Sequence, residues 1–62
     1  MTAPEELQYQ AAEIVVQWSG APPASEADVR EKLATIPRIA ADEIEELLPY
    51  VVAECRATGW LR

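Results

Sequence analysis

The stretch A-D-E-I-E-E-L-L-P-Y-V-V-A-E-C-R-A-T-G-W-L-R, Ala41–Arg62, decides the fold. It is the longest run of apolar residues at helical spacing in the chain. Ile44, Leu47, Leu48, Val51, Val52 and Cys55 fall on one stripe of an α-helix. Asp42 is the expected N-cap, and Glu45 three residues later completes a capping-box pattern. Asp42, Glu43, Glu45 and Glu46 crowd the start, where the helix dipole favours negative charge. Gly59 suits the left-handed position just past the helix end. Arg56 belongs to the last turn, and Trp60 is placed to fold back toward Cys55. Pro49 interrupts the pattern, because it has no N–H to give Glu45 and restricts Leu48. The expectation is a kink there or a split into pieces of roughly 42–48 and 49–58. A bent helix of this length can cover two shorter ones, so it is placed at the centre.

Two further helices precede it. Thr2-Ala3-Pro4-Glu5 is a start signal: Thr2 can cap, Glu5 can close the box, and proline is tolerated in the first turn. Leu7, Ala11, Ile14 and Trp18 form the inward stripe of the first helix, with Val15 on its edge. Gly20 is the expected left-handed stop, and Pro22-Pro23 forbids continuation. Ala21–Ala24 is a short stiff linker. Ser25 caps the second helix, with Asp28 at its third position and Val29, Leu33 and Ile36 as a single stripe. Arg30, Glu31 and Lys32 face water. Pro37 ends the helix, and Ile39 plugs the corner before the third. The predicted fold is all-α, a compact three-helix bundle over about 3–19, 26–36 and 42–58, forming a single helical domain.

Size and composition bound the rest. A chain of 62 residues is marginal as an independent folding unit. The single Cys permits no internal disulfide, so docking or oligomerisation is the common remaining source of stability. The formal charge of −6 disfavours phosphate backbones and anionic lipid and suits basic protein partners. The start carries Glu5 and Glu6 and no basic segment, and no apolar run approaches the ~20 residues of a membrane span. The expected setting is reducing and cytoplasmic.

Residue types argue against catalysis. There is no His, which removes the commonest general base and metal ligand. Cys55 lies on the apolar stripe and reads as a core thiol. Gly20 and Gly59 are the only glycines, so no phosphate loop exists. Asp42–Glu46 lacks the spacing and glycine of a calcium loop. No cofactor or metal is implied. Acyl carriers are also small, acidic and helical, but their Asp-Ser-Leu attachment motif is missing: Ser25 is flanked by Ala24 and Glu26.

The expected function is therefore protein–protein interaction, as an acidic accessory subunit, adaptor or inhibitor, or as a homodimer. Two surfaces are candidates. On the first helix, Tyr9, Ala12 and Val16 share the side opposite Leu7 and Trp18. On the third, Glu43, Glu46, Tyr50 and Glu54 share one side at three-, seven- and eleven-residue offsets and would suit a basic partner. Trp18 and Trp60 are assigned to the core. The alternative is a DNA-binding role. Residues 26–62 resemble, in order and spacing, the tri-helical core of helix-turn-helix and winged-helix domains. A recognition helix in that family should offer basic or amide residues in its first turns. This one offers Asp42, Glu43, Glu45 and Glu46, with little chain after Leu61 for a wing.

Overall fold

In the computed structural model, which describes residues 4–61, the chain forms three α-helices. They are α1 (Pro4–Gln17), α2 (Glu26–Ala34) and α3 (Ala41–Thr58), with a 3₁₀ turn, Trp18–Gly20, closing α1. The described residues contain no strand. The all-α three-helix reading holds. Its first start signal, Thr2 with Ala3, lies outside the described residues.

Helix α3 is the centre of the packing. Both α1 and α2 rest against it, whereas the Cα atoms of α1 and α2 do not approach within 8 Å of each other. The core is what the three stripes supply: Leu7, Ala11, Ile14 and Val15 from α1, Val29 and Leu33 from α2, and Ile44, Leu47, Val51, Val52 and Cys55 from α3. Leu61 closes one end, and Ile36, Ile39 and Leu48 pack partly buried at the margins. Pro23 is buried, which fixes the linker against the bundle.

The ends of the helices show how local chemistry sets their limits. Ser25 caps α2 with an extended backbone (φ −152°, ψ 170°), and its hydroxyl accepts from the Asp28 N–H at 3.3 Å. Asp28 Oδ2 reaches back to accept from the Ala24 N–H at 3.1 Å. Ser25 thus satisfies a donor that the first turn leaves open, and Asp28 ties down the residue just before the cap. Helix α2 stops at Ala34, two residues short of the expected end. Pro37 biases Ile36 away from helical backbone, and the last turn tightens into Ile36 N–H to Leu33 C=O at 3.1 Å. At the end of α3, Gly59 has φ 87°. Its N–H donates to Arg56 C=O at 3.0 Å, and the Trp60 N–H donates to Cys55 C=O at 3.1 Å. This is the paired bonding of a Schellman motif.

Two expectations are corrected, and a third, left as alternatives, is resolved. Asp42 is not the cap of α3: the cap is Ala40 (φ −78°, ψ 160°), with no side-chain bond, and its carbonyl accepts from the Ile44 N–H at 3.1 Å. Asp42 and Glu43 occupy the first turn as dipole-favoured acids, while Glu45 turns to Arg30. Gly20 is not a left-handed stop. Gly59 alone among the described residues has positive φ, and α1 ends by tightening into the 3₁₀ turn, with the Ala21 N–H on Trp18 C=O at 2.9 Å. Of the two outcomes expected at Pro49, a bend or a split, the split does not occur. The chain forms one helix of 18 residues there, with Pro49 inside it. Pro49 lies on the exposed side, so the Glu45 carbonyl that loses its usual donor lies toward water. Leu47 and Val51 on either side are buried and hold the helix together across the proline.

Two ion pairs orient α2 against α3. Arg56 Nη2 meets Glu26 Oε1 at 2.7 Å. The Arg30 guanidinium forks onto Glu45, with contacts at 2.5 and 3.4 Å. The start of α2 is thereby paired with the end of α3, and the middle of α2 with its start, so the two run antiparallel. Both pairs are well exposed, and exposed pairs contribute little to stability. They set register rather than hold the bundle.

Candidate functional site

Burial separates the two candidate surfaces. Helix α1 spends its Leu7 stripe on α3 and keeps a second face free. Tyr9 is 67% exposed and Val16 71% exposed, the large apolar side chains that stand out to solvent among the described residues. Ala12 sits between them, half-buried. At 100° per residue the three fall within about one quarter of the helix circumference. A shallow depression of about 410 Å³ follows them, lined by Tyr9, Ala12, Glu13, Val16 and Gln17. The fold accounts for this exposure. No Cα atom of α2 comes within 8 Å of one in α1, so α3 is the helix packed closely on α1, and one helix can cover only one face.

The α3 surface is different. Glu43 and Glu46 are exposed, but Tyr50 and Glu54 are half-buried. Tyr50 packs against the core, so part of its ring is already committed inside the fold. Trp18 and Trp60, expected in the core, lie at its edge: both are half-buried and packed against it. Trp18 gains a partner that the sequence reading missed. Lys32 Nζ stands 5.8 Å from its ring centroid. Lys32 is accordingly half-buried rather than freely solvated. The signal was a lone lysine on the flank of a short helix facing a Trp at the end of its neighbour, which no spacing rule connects.

Other depressions lie elsewhere on the described surface. One of about 500 Å³ runs along α2 past Asp28, Glu31, Lys32, Ala34 and Thr35. The second, about 490 Å³, is lined by Ala24, Ser25, Glu26, Arg56, Trp60 and Leu61. Its one cation, Arg56, is already paired with Glu26, so the site offers no free charge to an anionic ligand. Cys55 is fully buried. Burial, then the nearby Glu54 carboxylate, push its thiol above the ordinary range, which leaves it protonated and unreactive at neutral pH. No three His, Cys, Asp or Glu side chains among the described residues gather as a metal site would need. No helix among them is long and apolar enough to cross a membrane.

The basic residues are mostly engaged. Arg30 and Arg56 hold acids, Lys32 sits over Trp18, and Arg38 stands in the turn before α3. The first turns of α3, where a DNA reader would place its contacts, expose Asp42, Glu43, Glu45 and Glu46. No protein-family model, curated protein or solved structure matches this chain.

Proposed function

We propose that the chain is a non-catalytic protein–protein interaction module, an accessory subunit, adaptor or inhibitor that docks through the free face of α1. The observation that carries this reading is the pairing of Tyr9 and Val16. Among the described residues the other large apolar side chains are at least partly spent on the bundle, yet these two stand exposed on one helical face with a small residue between them. An aromatic anchor beside a small residue and a β-branched one suits a helix laid into an apolar groove. The acidic balance favours a protein partner over nucleic acid: the formal charge is −6, and three of the described cations are already engaged. The missing histidine and the buried, protonated Cys55 support a binding role over a catalytic one.

Retention of proteins from an extract of the source cells, with wild type and Val16→Asp as parallel baits, tests it. Both baits should give the same helical circular dichroism, because Val16 is solvent-facing. The wild type should retain a discrete partner that the variant does not. Equal retention by both baits removes the α1 face as the interface.

A further inference from the structure

The α1 face carries charge in a pattern that narrows what can cover it. Glu6 and Glu13 lie two turns apart on one flank of the Tyr9–Ala12–Val16 strip, and Glu5 extends the strip by one turn at its N-terminal end. All three carboxylates are exposed, and α1 contains no Lys or Arg. Glu5 and Glu6 are accounted for by the helix dipole, since they occupy the first turn. Glu13 is not. It lies beyond the first turn of α1, where the dipole gives a carboxylate no support, and it forms no ion pair among the described residues.

A second copy of the chain fits this face poorly. In an antiparallel two-fold pairing of α1 on α1, the flank bearing Glu6 and Glu13 meets the same flank of the mate. In a parallel pairing, Glu5 meets Glu5 and the helix dipoles align. Either arrangement sets like charges together with no cation from α1 to relieve them, and joins two chains that are each at −6.

Resting on the interaction reading above, we infer that the occupant is a different protein, one that presents an apolar groove bordered on one side by Lys or Arg. Tyr9 and Val16 enter the groove, Ala12 lets the two backbones approach, and Glu6 and Glu13 meet the basic border. The apolar strip supplies most of the affinity, and the carboxylates supply orientation and speed of encounter.

Two designed amphipathic helical peptides test this, one built from Leu and Lys and the other from Leu and Glu. Each is titrated into the isotopically labelled full chain, with sedimentation of the chain alone run alongside. The expected result is a monomer whose amide signals at Tyr9, Ala12, Glu13 and Val16 shift with the Leu/Lys peptide and not with the Leu/Glu peptide. Val16→Asp should abolish the shifts. Glu6→Gln with Glu13→Gln should weaken binding about two- to fivefold for each carboxylate removed and flatten its salt dependence. A dimer that Val16→Asp dissociates overturns the inference but keeps α1 as a contact face. Equal shifts from both peptides, or shifts confined to the acidic start of α3, overturn the charge argument alone. A monomer with no shift on α1 from either peptide removes both the inference and the reading beneath it.

Discussion

Lys32 Nζ lies 5.8 Å from the centroid of the Trp18 indole, linking α2 to the 3₁₀ turn that closes α1, while no Cα atoms of α1 and α2 approach within 8 Å. Helix α1 and α2 each rest on α3, and this cation over the ring spans the space between them. A half-buried cation–π contact is worth about 0.5–1 kcal/mol beyond packing. Lys32→Met keeps the aliphatic stem and removes the charge. It should lower the unfolding free energy by that amount, read as a lower urea midpoint at unchanged slope. Lys32→Arg should retain most of the stability. If Met and Arg behave alike, the charge over Trp18 contributes nothing.

Pro49 works against the helix that contains it. Its ring is on the exposed side of α3, so replacement meets no packed neighbour, and Pro49→Ala restores a donor for the Glu45 carbonyl. The helical preference favours alanine by about 3 kcal/mol. Proline's restriction of the unfolded chain returns about 0.5–1 kcal/mol, and the native helix already accommodates the ring. A net gain of about 1–2 kcal/mol is expected in chemical denaturation. A loss on substitution would mean that the bundle needs the geometry proline imposes.

What could be read from the sequence, and what could not, follows from the range of the interactions. The stripes on all three helices were legible because each depends on spacing within one helix. Gly59 was legible because a glycine after a basic last turn is a local signal, and it takes φ 87°. Asp42 was misjudged as a cap because Glu45, the other half of the local signal, bonds to Arg30, fifteen residues away. Gly20 looks like a left-handed stop by sequence, but α1 ends by tightening into a 3₁₀ turn in which Gly20 does not take positive φ. Pro49 left bend and split open, and burial of Leu47 and Val51 decided for one helix. The exposure of Tyr9 and Val16 was legible as a second apolar face on a helix with too few neighbours. The half-burial of Tyr50 was not, since it depends on how the helices cross.

The two glycines make a matched pair. A Cβ at either position would meet nothing within 4 Å, so any effect of alanine is a backbone effect. At Gly59, with φ 87°, an L-residue is strained, and Gly59→Ala should cost about 1–2 kcal/mol. At Gly20 the backbone is not left-handed, and Gly20→Ala should be neutral or stabilising by up to about 1 kcal/mol. Thermal melts of the two variants should move in different directions, or one down and the other not at all. Equal losses would show that Gly20 carries a strain absent from its backbone angles.

The Arg30–Glu45 pair makes part of the stability depend on pH. Hydrogen bonding from Arg30, and then its charge, hold the Glu45 carboxyl below its ordinary 4.5. A carboxylate depressed in the folded state stabilises it above the unfolded value. That contribution is lost as pH falls through 4.5 toward the folded value. The same contact raises Arg30 above its ordinary value, so its share is fully present throughout the neutral range. Glu45→Gln removes the pair at every pH. Wild type should therefore unfold at higher urea than Glu45→Gln at pH 7, the gap should narrow below pH 4.5, and the two should converge in stronger acid. Both side chains are exposed, so the gap at pH 7 should be small and should shrink in high salt. A gap that persists unchanged in acid would assign the stabilisation to the shape of the glutamate side chain and not to its charge.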